Sequence, residues 1–152
     1  MLAGWLAGIA AAETDEQWIH GINVGRSPEA IALPASVAWQ KANELARAEP
    51  CAFVVTGSGA SMLPLYSAGT LLVLRPVSYA QLQLGQTILY RNRAHRAVAH
   101  VLVAKTHDGW RVAGLNNRIH DMEPVVPDNL LGLVVAAIQP TPEPPGNLVA
   151  LR

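Results

Sequence analysis

Charge is scarce in this chain: Asp, Glu, Lys and Arg make up 14% of its 152 residues, against roughly 25% in an average soluble domain. Eleven acidic residues balance eleven basic ones, and no block of like sign occurs. Such a surface offers no electrostatic footprint for a phosphate backbone, so neither DNA nor RNA is an expected partner. A single cysteine, Cys51, excludes an intrachain disulfide. It stands in an apolar run and reads as a small core residue. Internal repeats and heptads are also lacking, which excludes solenoids and coiled coils.

Long apolar runs are missing too. The uncharged start, residues 1–12, falls well short of the ~20 residues that cross a bilayer as a helix. It is followed at once by Glu13, Thr14, Asp15 and Glu16. Its shape resembles the hydrophobic core and small-residue cleavage site of an export signal, without the basic residues that normally precede one. A peripheral membrane contact and a packed or unstructured terminus are the alternatives. An exported or membrane-proximal location is therefore expected ahead of a cytoplasmic one.

What is present is an apolar chain, 51% by residue, of a length that suits one domain around a single core. Residues 1–50 divide into the apolar start, an irregular arm with Gly21, Gly25 and Pro28, and one helix. Pro34 opens that helix; Ala35, Ala38, Ala42, Leu45 and Ala46 recur at helical spacing, and Pro50 stops it. A DNA-reading head would need a second helix and a basic face. From residue 51 to 138 the pattern turns to short β runs, 51–56, 70–75, 86–91, 96–106, 110–113 and 130–138, separated by Gly, Pro, Asn and Asp. His107-Asp108-Gly109 favours a hairpin between the fourth and fifth runs. Val98, His100, Leu102 and Ala104 share one face of the fourth run, and both its faces are apolar, so it reads as a central strand. Residues 139–152, with Pro140, Pro142, Pro144 and Pro145, read as an extended tail outside the fold. The fold class expected is mainly β: a twisted, partly closed antiparallel domain with one N-terminal helix.

Ser61 follows Thr56-Gly57-Ser58-Gly59-Ala60, a stretch that lets the backbone approach a substrate and aim amide groups at one point. On turn statistics alone it is a loop serine. His100 is a lone polar side chain on an apolar strand face, a position that suits a general base as well as a satisfied core histidine. Asp121 closes a turn-rich loop running from Gly114 through Asn116 and Asn117. Serine, imidazole and carboxylate are the parts of an activated nucleophile. His95, His100, His107 and His120 lie close in sequence, but His95 and His100 fall on opposite faces of a strand, and no metal or cofactor is expected. Arg91, Arg93 and Arg96 read as a solvated hairpin tip.

Gly59-x-Ser61-Met62-x-Pro64, then Gly69, Gly85 ahead of a β run, Val98-Ala99-His100, Gly114-x-Asn116-Asn117 ending in Asp121, and Gly132 resemble the signal peptidase family. The resemblance extends to the related self-cleaving repressor peptidases, and it runs from about Val54 to Ile138. It points to the branch whose base is a histidine; Lys105 stands too far along to take that place. The resemblance implies a serine endopeptidase with Ser61 as nucleophile, His100 as base and Asp121 orienting the imidazole. Gly59, Ala60, Met62, Pro64, Asn116 and Asn117 would shape the oxyanion and substrate region, the Ser61 N–H serving as an oxyanion donor. The implied partner is a peptide or protein bound as an added strand and cut after a small residue. The sequence departs from the family at Thr70 and Gln86, where acids usually follow the glycines, at Gly59, where some relatives have a serine, and at Leu115, where the Asn-Asn loop usually carries an aspartate. A catalytically silent peptide- or partner-binding relative and a self-cleaving regulatory domain are the rival expectations.

Overall fold

The computed structural model describes residues 17–146. The apolar start and the last part of the tail lie outside these residues, as do the expectations attached to them. The order of elements is β1 (Trp18–Ile19), β2 (Ile22–Asn23), β3 (Ala30–Pro34), α1 (Ala35–Arg47), β4 (Phe53–Thr56), β5 (Leu71–Arg75), β6 (Thr87–Arg91), β7 (Ala97–Thr106), β8 (Gly109–Ala113) and β9 (Leu130–Thr141). The architecture is mainly β with one helix.

Strands β3 to β9 form one seven-stranded sheet, with β4-β5-β9-β6-β7-β8 as its main path. The long β9 organises it. One edge of β9 takes β5 along Leu133–Ile138, while the other takes β6 along Leu130–Leu133 and then β3 along Ala137–Thr141. All pairings in this sheet are antiparallel except β3 with β9. The sheet does not close: β4 ends one side and β8 the other. This corrects the expectation of a partly closed domain. Bulges in β9's pairings with β5 and β6 and in the β7–β8 pairing bend the strands, and a bulge increases local twist. β4 and the start of β7 consequently face each other across a cleft.

Three apolar clusters fill the layers. One, inside the curl, joins Met62, Tyr66, Leu72, Leu89, Val101 and Leu115. A second joins Ile88, Tyr90, Leu102, Trp110 and Val112. The third lies under α1, where fully buried Ala38 and Ala42 sit one turn apart against Leu71, Val73 and Ile138. Small residues on that helix stripe let it lie close to the sheet.

Three expectations need correction. The arm read as irregular contains the β1–β2 hairpin and β3, whose parallel pairing with β9 leaves no signal in a short stretch bearing Pro28. The tail read as lying outside the fold begins with the end of β9: Gln139 accepts hydrogen bonds from Ser67 (2.5 Å) and Thr70 (2.6 Å), and Glu143 accepts the backbone N–H of Ser36 at the start of α1. Cys51 is exposed, with φ of 56° in the turn between α1 and β4, so it is not a core residue. The half-buried strand begins at Phe53, after the chain has turned.

Candidate active site

The loop from Gly57 to Thr70 carries Ser61 between β4 and β5, and its ends are pinned to each other. Gly57 N–H donates to Thr70 O (2.8 Å) and Gly69 N–H to Gly57 O (2.9 Å). Met62, 7% exposed, plugs into the inner core and holds the residue beside it at the surface. Tyr66 anchors the far side of the loop by donating to Pro28 O (2.6 Å). The backbone N–H groups of Ala60 and Ser61 meet no acceptor among the described residues, which leaves them free to face an oxyanion.

His100 lies on β7 opposite Ile88 of β6, with only 5% exposure. Its Nε2 is 3.1 Å from Ser61 Oγ and its Nδ1 2.6 Å from Asp121 Oδ2. An ionised carboxylate accepts only, so Nδ1 carries the proton and Nε2 is left to accept from the serine hydroxyl. Asp121 is fixed by its own backbone, which donates to Val112 O of β8 (2.8 Å). Burial pushes its carboxyl group up. Hydrogen bonds from His100 and Tyr90 and the charges of His100 and His120 outweigh that effect and hold it below its ordinary value. Serine, imidazole and carboxylate thus stand in one hydrogen-bonded series.

A fourth group completes the series. Tyr90 of β6 donates its hydroxyl to the same Asp121 Oδ2, at 2.5 Å. In the β6–β7 register Tyr90 pairs with Val98 and Ile88 with His100, so Tyr90 and His100 share a face. Burial, and then the bond to Asp121, push the Tyr90 hydroxyl above its ordinary range, so it remains a donor. Sequence reading passed over Tyr90. The only signal for it was its place on a β run preceding the histidine run, and that signal becomes legible only once the register across the 92–96 turn is known.

The second loop braces the first. Asn116 N–H donates to Ser61 O (2.8 Å), and its side-chain amide donates to Ala60 O (3.0 Å). Asn117 N–H closes the turn on Gly114 O (3.1 Å). A Cβ at Gly114 would stand 2.7 Å from Asn117 Nδ2, 2.8 Å from Ser61 O and 2.9 Å from His100 Nε2, so only glycine fits between the two loops. Leu115 is 1% exposed and belongs to the inner core, while its carbonyl accepts from His20 Nδ1 (2.8 Å) in the β1–β2 turn. The departure at Leu115 is therefore an apolar plug.

A cleft of about 300 Å³ runs beside Ser61, between Val55–Gly59 on the β4 side and Arg96–Ala99 on the β7 side, floored by Met62, Tyr66, Leu72 and Leu89. Among the described residues both walls are free strand edges: β4 pairs only with β5, and β8 pairs with β7 only from Val101 onward. Of the residues expected to shape the substrate region, Gly59 and Met62 line this cleft. Ala60 lends its carbonyl to Asn116, and Asn116 and Asn117 brace the loops. Pro64 borders a different groove, with Leu65, Ser67 and Gln139. Lys105 lies at the other end of β7, its ammonium 5.1 Å from the Tyr79 ring centroid and 5.5 Å from that of Trp110, where cation–π attraction holds it. Among the described residues no cluster of His, Cys, Asp and Glu could hold a metal, and no helix is long and apolar enough to cross a membrane.

No family model, curated protein or solved structure matches the chain.

Proposed function

We propose that this chain is a signal-peptidase-like serine endopeptidase that hydrolyses an extended peptide after a small residue. The single observation behind this reading is the unbroken series Ser61–His100–Asp121, opening on a cleft with two free strand edges. A peptide in that cleft would add main-chain hydrogen bonds to β4 on one side and to Ala97–His100 on the other. The small residue at the cleavage point is what the family resemblance implies; beside Ser61 the cleft is floored by the apolar side chains of Met62, Leu72 and Leu89 and by Tyr66.

In this mechanism Ser61 Oγ attacks the scissile carbonyl carbon while His100 Nε2 takes its proton. Asp121 holds the imidazole in the required tautomer and stabilises the imidazolium that forms. The Ser61 N–H faces the oxyanion. Collapse of the tetrahedral species breaks the C–N bond, and His100 returns the proton to the leaving amine. Water, deprotonated by the same imidazole, then hydrolyses the Ser61 ester and releases the new carboxylate.

A binding module that holds peptides without turnover would use the same cleft. The observation on its side is Leu115, which places a core side chain where the resembling family has a carboxylate. Incubation of the protein with a library of extended peptides, analysed by mass spectrometry, separates the readings. The hydrolase reading requires cleavage by the native chain and none by Ser61→Ala; an intact library, or equal cleavage by both, overturns it. The same spectra report any internal cut in the chain itself, as the self-cleaving rival requires.

A further inference from the structure

Among the described residues the Ser61 cleft has one charged residue in its lining, Arg96, and no acidic one. Arg96 differs from its two neighbours at the β6–β7 turn. Arg91 Nη1 donates to His95 O (3.1 Å), and Arg93 Nε lies 4.0 Å from Glu123. The Arg96 guanidinium meets no acceptor among the described residues. Its root is nevertheless fixed: Arg96 N–H donates to Asn92 Oδ1 (3.0 Å), and Arg96 O accepts from Asn92 N–H (2.9 Å). A free guanidinium on an anchored backbone, at the edge of a groove whose other polar groups are neutral, is suited to a carboxylate, which it can grip through two parallel hydrogen bonds.

We infer that Arg96 sets a substrate preference, selecting extended peptides with an Asp or Glu about four residues from the scissile bond. The spacing follows from strand geometry. Arg96 precedes His100 by four positions, and a peptide lying along Ala97–His100 advances at the same rise of ~3.3 Å per residue. The inference deepens the reading of this cleft as a peptide groove and rests on it. An apolar export signal would not satisfy such a site, so the favoured substrate carries an acid in its extended segment.

The test uses fluorescent peptides of ten residues with one central alanine, an Asp placed at each other position in turn, and matched Ala and Lys sets. Affinities are read by anisotropy on the Ser61→Ala chain, and kcat/KM on the native chain. The inference expects Asp at one position, about four residues from the alanine, to improve affinity by about fivefold over Ala, the size of a well-placed exposed ion pair. High salt should erase the gain. Arg96→Ala should flatten the preference, and Arg96→Glu should transfer it to the Lys peptide at that position. An unchanged Asp ranking in Arg96→Glu, or no charge preference in any register, overturns the inference. Cleavage without charge preference sinks it while leaving the hydrolase reading intact. Arg96-dependent binding without cleavage does the reverse. Failure of every peptide to bind removes both.

Discussion

Gly114 passes so close to His100 that a methyl group at position 114 would lie 2.9 Å from Nε2 and 2.8 Å from Ser61 O. This glycine is needed for space: without a side chain at 114, the Ser61 loop and the His100 strand sit at hydrogen-bonding distance. Gly114→Ala should push Ser61 and His100 apart, lowering kcat about 100-fold, the scale of a 1 Å misplacement of reacting groups. The overpacking should cost about 1–3 kcal/mol of stability. Turnover assays with parallel urea unfolding check both effects, and native activity in this variant would contradict the geometry.

Tyr90 and Asp121 supply a pH test. Loss of the hydroxyl in Tyr90→Phe removes one of the bonds that hold the Asp121 carboxyl down, so its pKa should rise. The acidic limb of the kcat profile should shift to higher pH, with kcat lowered roughly tenfold, as for a lost hydrogen bond to a charged group of about 1.5 kcal/mol. KM should change little, because Tyr90 does not line the cleft. A uniform drop at every pH would assign Tyr90 a packing role only.

Asp121 also links stability to pH. Its folded pKa lies below the ordinary 3.8, so the folded state binds protons less readily than the unfolded chain. The stability it contributes is complete above the unfolded value and is lost as pH falls through the folded one. Asp121→Asn should therefore show a flatter acid-side stability curve below about pH 4. Thermal melts across that range measure the difference.

Leu115 separates a structural plug from a missing catalytic acid. Leu115→Asp would place an unpaired carboxylate at a site that is 1% exposed among apolar side chains, which should cost several kcal/mol. Leu115→Ala should cost about 2–5 kcal/mol through the cavity it leaves. A Leu115→Asp chain that is stable and more active would show that the loop has room for the acid found in the family it resembles.

The sequence made the β runs, the helix and the three members of the Ser61 series legible because each carries a local signal. The helix has alanines at helical spacing between Pro34 and Pro50. The strands have apolar runs between turn residues, and Ser61, His100 and Asp121 each sit in a motif. β3 was hidden because its partner lies far along the chain and its pairing is parallel. The end of β9 was hidden by prolines, which an edge position tolerates at Pro140. Tyr90, the bracing role of Asn116 and the free guanidinium of Arg96 depend on register and loop-to-loop contact, which no local pattern encodes. Pro64 was tied to the site by its motif, yet the turn carries it to another groove.

The most direct measurement of the central claim is active-site labelling. A fluorophosphonate probe reacts only with a serine whose hydroxyl is activated by a base and whose adduct oxygen is stabilised. Treatment of the native chain, followed by digestion and mass spectrometry, should give one adduct, on Ser61. Labelling should be lost in Ser61→Ala and fall by orders of magnitude in His100→Ala while both variants stay folded. An unlabelled native chain, or labelling of Ser61 that is indifferent to His100, would contradict the account.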